Sequence, residues 1–329
     1  MVSRPRPLTA LVGVVVAFAA LVGVLWLIPS NHYLVRPAPA RPVDPLVSVP
    51  GESTAVRKAG IYMVAVRVSR ASLFERLFPG IYGHADLVPE HVLNPTGVSD
   101  QQRKEQGFEQ MSHSQKVAVA VALRELGYTV RGGAKIARFT PNAAAAGTLR
   151  VGDLVVEARG QIVDSPDDLA RIMRAVRPGQ SVPLVVRRGD RTLRVTAATR
   201  ADADDPDRAV LGVFLEEPNE FRFPVNVRIS TPGIGGPSAG LAFALDIVDE
   251  RGHDIDRGRT VVATGELSLG GQVLPIGEIQ QKTVGAREAG ANIFLVPDAN
   301  AAEARKNAQG LRIVPVSTFS EALAALATA

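Results

Sequence analysis

The 329-residue chain has no cysteine, which excludes disulfides, thiol nucleophiles and cysteine-ligated metals. Histidine is scarce. His32, His84, His91, His113 and His253 form no His-x-x-x-His pair, so no metal site is expected. Neither sign of charge dominates: 37 Lys and Arg stand against 33 Asp and Glu, scattered along the chain, for a net charge of +4. A nucleic-acid partner is therefore not expected. No Gly-x-x-x-x-Gly-Lys-Ser/Thr phosphate loop occurs anywhere, so the chain carries no nucleotide-driven motor of that kind, and no cofactor is expected. What is plentiful is apolar sequence, 46% of residues, enough to bury the cores of two domains.

Leu8 to Ile28 is an uncharged run of 21 residues, which at helical rise matches the roughly 30 Å hydrocarbon core of a bilayer. Arg4 and Arg6 precede it and Trp26 lies near its far end, so residues 1–30 are expected to form a cytoplasmic stub and a single transmembrane helix. The alternative is a cleaved signal peptide, with Ala38-Pro39-Ala40 as a small-x-small site. Either reading puts the body of the protein outside the cytoplasm.

Residues 31–54 hold a cluster of prolines (Pro37, Pro39, Pro42, Pro45, Pro50) and are expected to be an extended tether. In the next segment, 55–126, Ile61 to Val68 is rich in β-formers and residues 101–126 read as a helix with an apolar stripe of Met111, Val117, Val121 and Leu123. Ala201 to Arg208, acidic and proline-containing, suits a linker. From about 208 to 329, strands and helices alternate in a mixed α/β domain, with Val210 to Leu215 as its first strand. At this size the domain gains from another strand, and the one near Ile61 is the candidate. The segment 127–200 would then be an insertion.

That segment has short β-rich runs and Gly-Asp turns. Leu149-Arg150-Val151-Gly152-Asp153-Leu154-Val155-Val156, a helix opened by Asp164-Ser165-Pro166, then Pro178-Gly179 and the strand Val182 to Arg187 resemble a bacterial PDZ domain. The resemblance implies a groove that takes a protein or peptide terminus as an extra strand. The nearest candidate for its carboxylate loop is Leu126-Gly127-Tyr128-Thr129-Val130.

The segment richest in chemistry is Gly236-Pro237-Ser238-Ala239-Gly240. Ser238 stands where a glycine-rich turn meets an apolar helix, and free N–H groups of a first helical turn can hold an oxyanion. Read alone, it is equally a capped helix start. Lys282, the one lysine between it and the last helices, can act as a base if burial leaves it neutral, and Thr264 is a candidate to orient it.

Taken in order, Gly-Pro-Ser-Ala-Gly, then Thr264-Gly265-Glu266 through Leu274-Pro275-Ile276-Gly277, then Lys282 closely resemble the proteolytic domain of Lon-type (S16) peptidases. That resemblance implies Ser238 as nucleophile, Lys282 as general base, Thr264 as the residue supporting the lysine, and the backbone N–H groups of Ser238 and Ala239 as the oxyanion site. Glu266 is expected to be structural. The chain departs from Lon in having Ile234-Gly235 where Lon carries Lys-Asp, and in lacking the motor.

Anchor, PDZ and Lon-type domain together resemble the membrane-anchored, PDZ-containing Lon-like serine peptidases of bacteria, the YlbL-like family. The expected fold class is α+β. The implied function is ATP-independent serine endopeptidase action on flexible extracytoplasmic proteins. The alternative is a catalytically silent, membrane-tethered PDZ adaptor. The Lon resemblance also implies a homo-oligomer.

Overall fold

The computed structural model describes residues 7–49, 59–94, 97–218, 221 and 223–328. The N-terminal helix spans Pro7–Leu27, and the side chains described along it, from Leu11 onward, are mostly exposed, Phe18 to 66%. The transmembrane expectation is corrected in one respect: among the described residues no helix is long and apolar enough to cross a membrane.

The expected tether is ordered structure. Pro29–Pro37 is the middle strand of a three-stranded antiparallel sheet, between Val66–Ser72 and Asp86–Pro89. Tyr33, Leu34 and Val35 are each 1% exposed. This aromatic and β-branched run outweighs prolines that sit only at the strand's two ends, where a missing N–H costs little. Residues 38–49 then cross the C-terminal domain, burying Val43, Val47 and Val49 in its core. Of the tether, residues 50–54 lie outside the described residues. The run Ile61 to Val68 divides into two strands, Gly60–Met63 and Val66–Ser72, belonging to different sheets.

Gly60–Met63 pairs in parallel with Thr260–Ala263, which pairs in parallel with Ile293–Pro297, and that strand with Arg312–Val316. The early strand thus completes the late domain, and the β-rich unit is inserted between them. Alternation along these strands makes the layers: Ile293 and Leu295 face one core with the helix Gly240–Val248, while Phe294 and Val296 face another with the helix Ile279–Glu288. A helix therefore covers each face of the sheet.

The long helix Asp100–Glu125 starts at a capping box between Ser99 and Gln102. Near its end, about two turns from Val117 to Leu123 are buried against Gly240–Val248. It leads into the inserted unit, whose sheet runs Arg191–Ala198, Ser181–Arg188, Leu154–Ala158, Ala134–Phe139, Val213–Glu216. The helix Pro166–Met173 packs on it, capped by Ser165 with Pro166 in its first turn.

Two boundaries move. Val213–Glu216, expected to open the C-terminal domain, is the edge strand of the inserted sheet, paired with Ala134–Phe139. The expected linker Ala201 to Arg208 is a small hairpin, in which Arg200–Ala201 pairs with Ala209–Val210 and the Asp202 amide donates to the Arg208 carbonyl. Acidic composition resembles a linker, but backbone pairing closes it.

Arg124 ties the units together. Its guanidinium, held below its ordinary pKa by burial, donates to the carbonyls of Val130, Asp164 and Leu269. These acceptors come from the entry to the inserted unit, from its helix cap and from the C-terminal domain.

Candidate active site

Ser238 and Lys282 approach from opposite faces of the sheet that Gly60–Met63 completes, to which Arg41–Pro42 adds a fifth strand. Ser238 closes the turn before Gly240–Val248, and Lys282 lies in the first turns of Ile279–Glu288. They meet beyond the carboxyl ends of the parallel strands, where α/β sheets commonly place ligands. Lys282 Nζ is 3.0 Å from Ser238 Oγ. Lys282 is 4% exposed, and burial lowers its pKa to about 8 from the ordinary 10.5, against a weaker upward pull from Glu278. No ion pair holds it among the described residues.

Thr264 does not bond the lysine. Its hydroxyl donates to the Ser238 carbonyl at 3.2 Å, and the Gly265 amide donates to the same oxygen at 2.8 Å. This corrects the role expected for Thr264. A trans peptide is planar, so fixing the Ser238 carbonyl fixes the Ala239 N–H on the other side of that plane. The neighbouring peptide is held in the same manner. Ser114, buried on the long helix, donates its hydroxyl to the Pro237 carbonyl at 2.8 Å, which sets the direction of the Ser238 N–H. The Gly240 and Leu241 amides are engaged by Pro237 and Gly265, while among the described residues no protein acceptor takes the N–H of Ser238 or Ala239. Two adjacent donors are thus aimed and open.

The glycine-rich turn is clamped by the long helix. The Gly236 amide donates to the Gly107 carbonyl at 2.8 Å, and a Cβ at Gly235 would lie 3.1 Å from the Gly107 backbone. Gly236 itself has φ +89°, in the region that favours glycine. Neither Gly107 nor Ser114 stands out in the sequence. The only signal was a serine on the otherwise apolar face of a helix.

The dyad opens into a cavity of about 590 Å³ walled by Met63, Val66, Ile234, Glu266 and Ile276, among others. Glu266, assigned a structural role from sequence, is half-buried in this wall. Burial and the nearby Glu217 push its carboxyl above the usual range. Glu217 accepts from the Leu269 amide and from His113.

A second cavity, of about 780 Å³, lies on the inserted unit between Pro166–Met173 and residues 209–215, with Leu169, Met173, Leu211, Val213 and Leu215 in its lining. The carboxylate-loop candidate, Leu126 to Val130, is not part of it. That stretch is the C-terminal cap of the long helix, with Val130 buried in the core. Leu211-Gly212-Val213 lines it instead, and Gly212 has φ +78°.

Residues 225–328 match the family described as the Lon protease (S16) C-terminal proteolytic domain. Lon protease 2 of Bacillus subtilis is 37% identical over 114 residues, which is 35% of this chain and 20% of that protein. Lon protease 1 of Myxococcus xanthus is 39% identical over 92 residues, 27% of this chain and 11% of that protein. The chain thus spans a fifth or less of these relatives. Among solved structures, the PDZ domain of the SdrC-like protein from Listeria monocytogenes is 21% identical, covering 25% of this chain and 86% of that one, with a TM-score of 0.24. The PDZ domain of its Listeria innocua counterpart gives 21%, 26%, 93% and 0.24. The matched C-terminal segment, which carries Ser238, Thr264 and Lys282, is similar to the proteolytic domain of Lon-type serine peptidases.

Proposed function

We propose that the whole chain is a serine endopeptidase that uses Ser238 and Lys282, needs no ATP, and acts outside the cytoplasm on flexible protein segments delivered by the inserted PDZ-like unit. The observation that carries this reading is the 3.0 Å contact between Ser238 Oγ and a buried lysine whose pKa falls to about 8. A lysine so placed is neutral in a useful fraction of molecules near neutral pH, whereas an exposed lysine is not.

Neutral Lys282 takes the proton from Ser238 as Oγ bonds to the carbonyl carbon of the scissile peptide. The oxyanion forms against the N–H groups of Ser238 and Ala239, aimed by Ser114 and Thr264. Lys282 then gives its proton to the departing amine, leaving an ester on Ser238. Water, deprotonated by Lys282, attacks that ester, and the carboxylic product leaves with Ser238 reprotonated.

Substrate capture is assigned to the second cavity. Val213–Glu216 is an edge strand with one side unpaired in its sheet, beside an apolar helix wall, the arrangement that accepts an extended peptide as an added strand. Without a motor of its own, the enzyme takes chains that are already extended. The N-terminal helix supports attachment to a membrane through side chains such as Leu11, Val14 and Phe18, all more than half exposed.

The test is cleavage of an unstructured protein by the full chain beside Ser238→Ala and Lys282→Ala. Loss of at least about 100-fold in each is expected, and undiminished cleavage in either variant overturns the dyad. Met173→Asp in the groove should raise KM for protein substrates while leaving hydrolysis of a short peptide unchanged.

A further inference from the structure

We propose that residues 73–81 form a second membrane contact, a foot resting in the lipid headgroup region beside the N-terminal helix. This rests on the reading that the helix is membrane-attached.

The foot is built directly onto the end of that helix. The Leu73 amide donates to the Ile28 carbonyl at 2.8 Å, Phe74 lies on Trp26 with ring centroids 5.1 Å apart, and Phe78 lies on Phe74 at 5.0 Å. Ser72 and Glu75 close a capping box that fixes the start of the short helix Leu73–Leu77. Pro79–Ile81 then makes a tight turn. The result leaves Leu77 61%, Phe78 52% and Ile81 52% exposed, next to Trp26 at 45% and Leu27 at 83%.

A soluble surface does not ordinarily cluster such side chains at one loop. The occupant is fixed by continuity. The patch is an extension of the apolar helix, begins at the level where that helix ends, and is aromatic in the manner of side chains that settle at a bilayer interface. Arg76, the exposed cation of the short helix, is turned back to Asn31 at 3.1 Å, which keeps the tip apolar.

The foot also places the active site. Val66–Ser72 runs from the catalytic cavity, where Val66 and Val68 form part of the wall, to the capping residue of the foot. The six residue steps from Val66 to Ser72 cover about 20 Å. The cavity wall is thereby held within roughly that distance of the headgroups, on a strand rather than a flexible tether.

Because the chain has no cysteine, single labels test this in the full-length protein in phospholipid nanodiscs. Phe78→Cys and Ile81→Cys carry an environment-sensitive fluorophore, with Phe18→Cys marking the N-terminal helix and Val151→Cys marking a water-exposed loop. Nitroxide near the lipid headgroups should quench the labels at 78 and 81 at least about threefold more than at 151, as expected for rings at the interface, while aqueous iodide quenches them less. Iodide quenching equal to that at 151 overturns the foot. So does shielding from iodide without quenching by lipid, the outcome of burial against a second copy. If acyl-chain nitroxides fail to quench the label at 18, membrane attachment itself falls, and the foot with it.

Discussion

The Thr264 hydroxyl donates to the carbonyl of Ser238 and leaves Lys282 without its help. The threonine therefore acts on the oxyanion side of the chemistry, through the peptide plane that also carries the Ala239 N–H. Thr264→Val should lower kcat by about tenfold, less than the 10²–10³ expected for deleting an oxyanion donor, with KM little changed. The pH midpoint should stay that of the wild type. A threonine that tuned the lysine would move the midpoint, so the pH profile of the variant separates the two roles.

Lys282 must be neutral to take the serine proton, so kcat/KM should rise with pH and level off above about 8, the pKa of the buried amine. Glu278 pulls that pKa upward. Glu278→Gln should move the midpoint to lower pH by a few tenths of a unit, on the order expected for an exposed charge. A shift in the opposite direction would overturn the assignment of Lys282 as the titrating group.

The same burial costs stability. Below about pH 8 the folded protein carries a buried ammonium. As pH rises from there toward the ordinary lysine value, the unfolded chain still binds the proton that the folded one has released, so stability increases. The cost at pH 7 is on the order of 3 kcal/mol. Lys282→Met should therefore raise the unfolding free energy at pH 7 by up to about that amount, with the advantage shrinking toward pH 10, read from denaturant titrations at several pH values.

Gly285, on the lysine helix, touches the backbone of the N-terminal segment: a Cβ there would stand 2.2 Å from the Ala38 carbonyl oxygen, and the Ala40 amide donates to the Gly285 carbonyl. Gly285→Ala should cost about 2 kcal/mol or more by overpacking. Because Ala38 and Pro39 wall the catalytic cavity, kcat/KM should fall as well. Denaturant unfolding and peptide hydrolysis measured on the same preparation check both.

The Ser238–Lys282 pair was legible because its chemistry is local at each end: a serine at the mouth of an apolar helix, and a lysine in the first turns of a helix that follows the run Leu274-Pro275-Ile276-Gly277, each within a short motif. The groove was not. Leu126 to Val130 and Leu211 to Phe214 both offer glycine among apolar residues, and only strand pairing distinguishes a helix cap from a groove wall. The prolines from 37 to 50 likewise read as a tether until Tyr33, Leu34 and Val35 found strands on both sides. Proline restricts where hydrogen bonds are lost, but it does not say whether partners exist.

By itself, the sequence determined the apolar N-terminal helix, the insertion of one β-rich unit into an α/β domain, and the serine and lysine that the fold brings within 3.0 Å of each other. Each is written in periodicity or in short motifs, which survive without knowledge of distant contacts. The tertiary structure alone decided what aims the oxyanion donors, since Ser114 reaches Pro237 across 123 positions of chain from a helix whose own sequence gives no reason to meet the serine turn. It also decided the pKa of Lys282, because burial depends on every element packed around the amine.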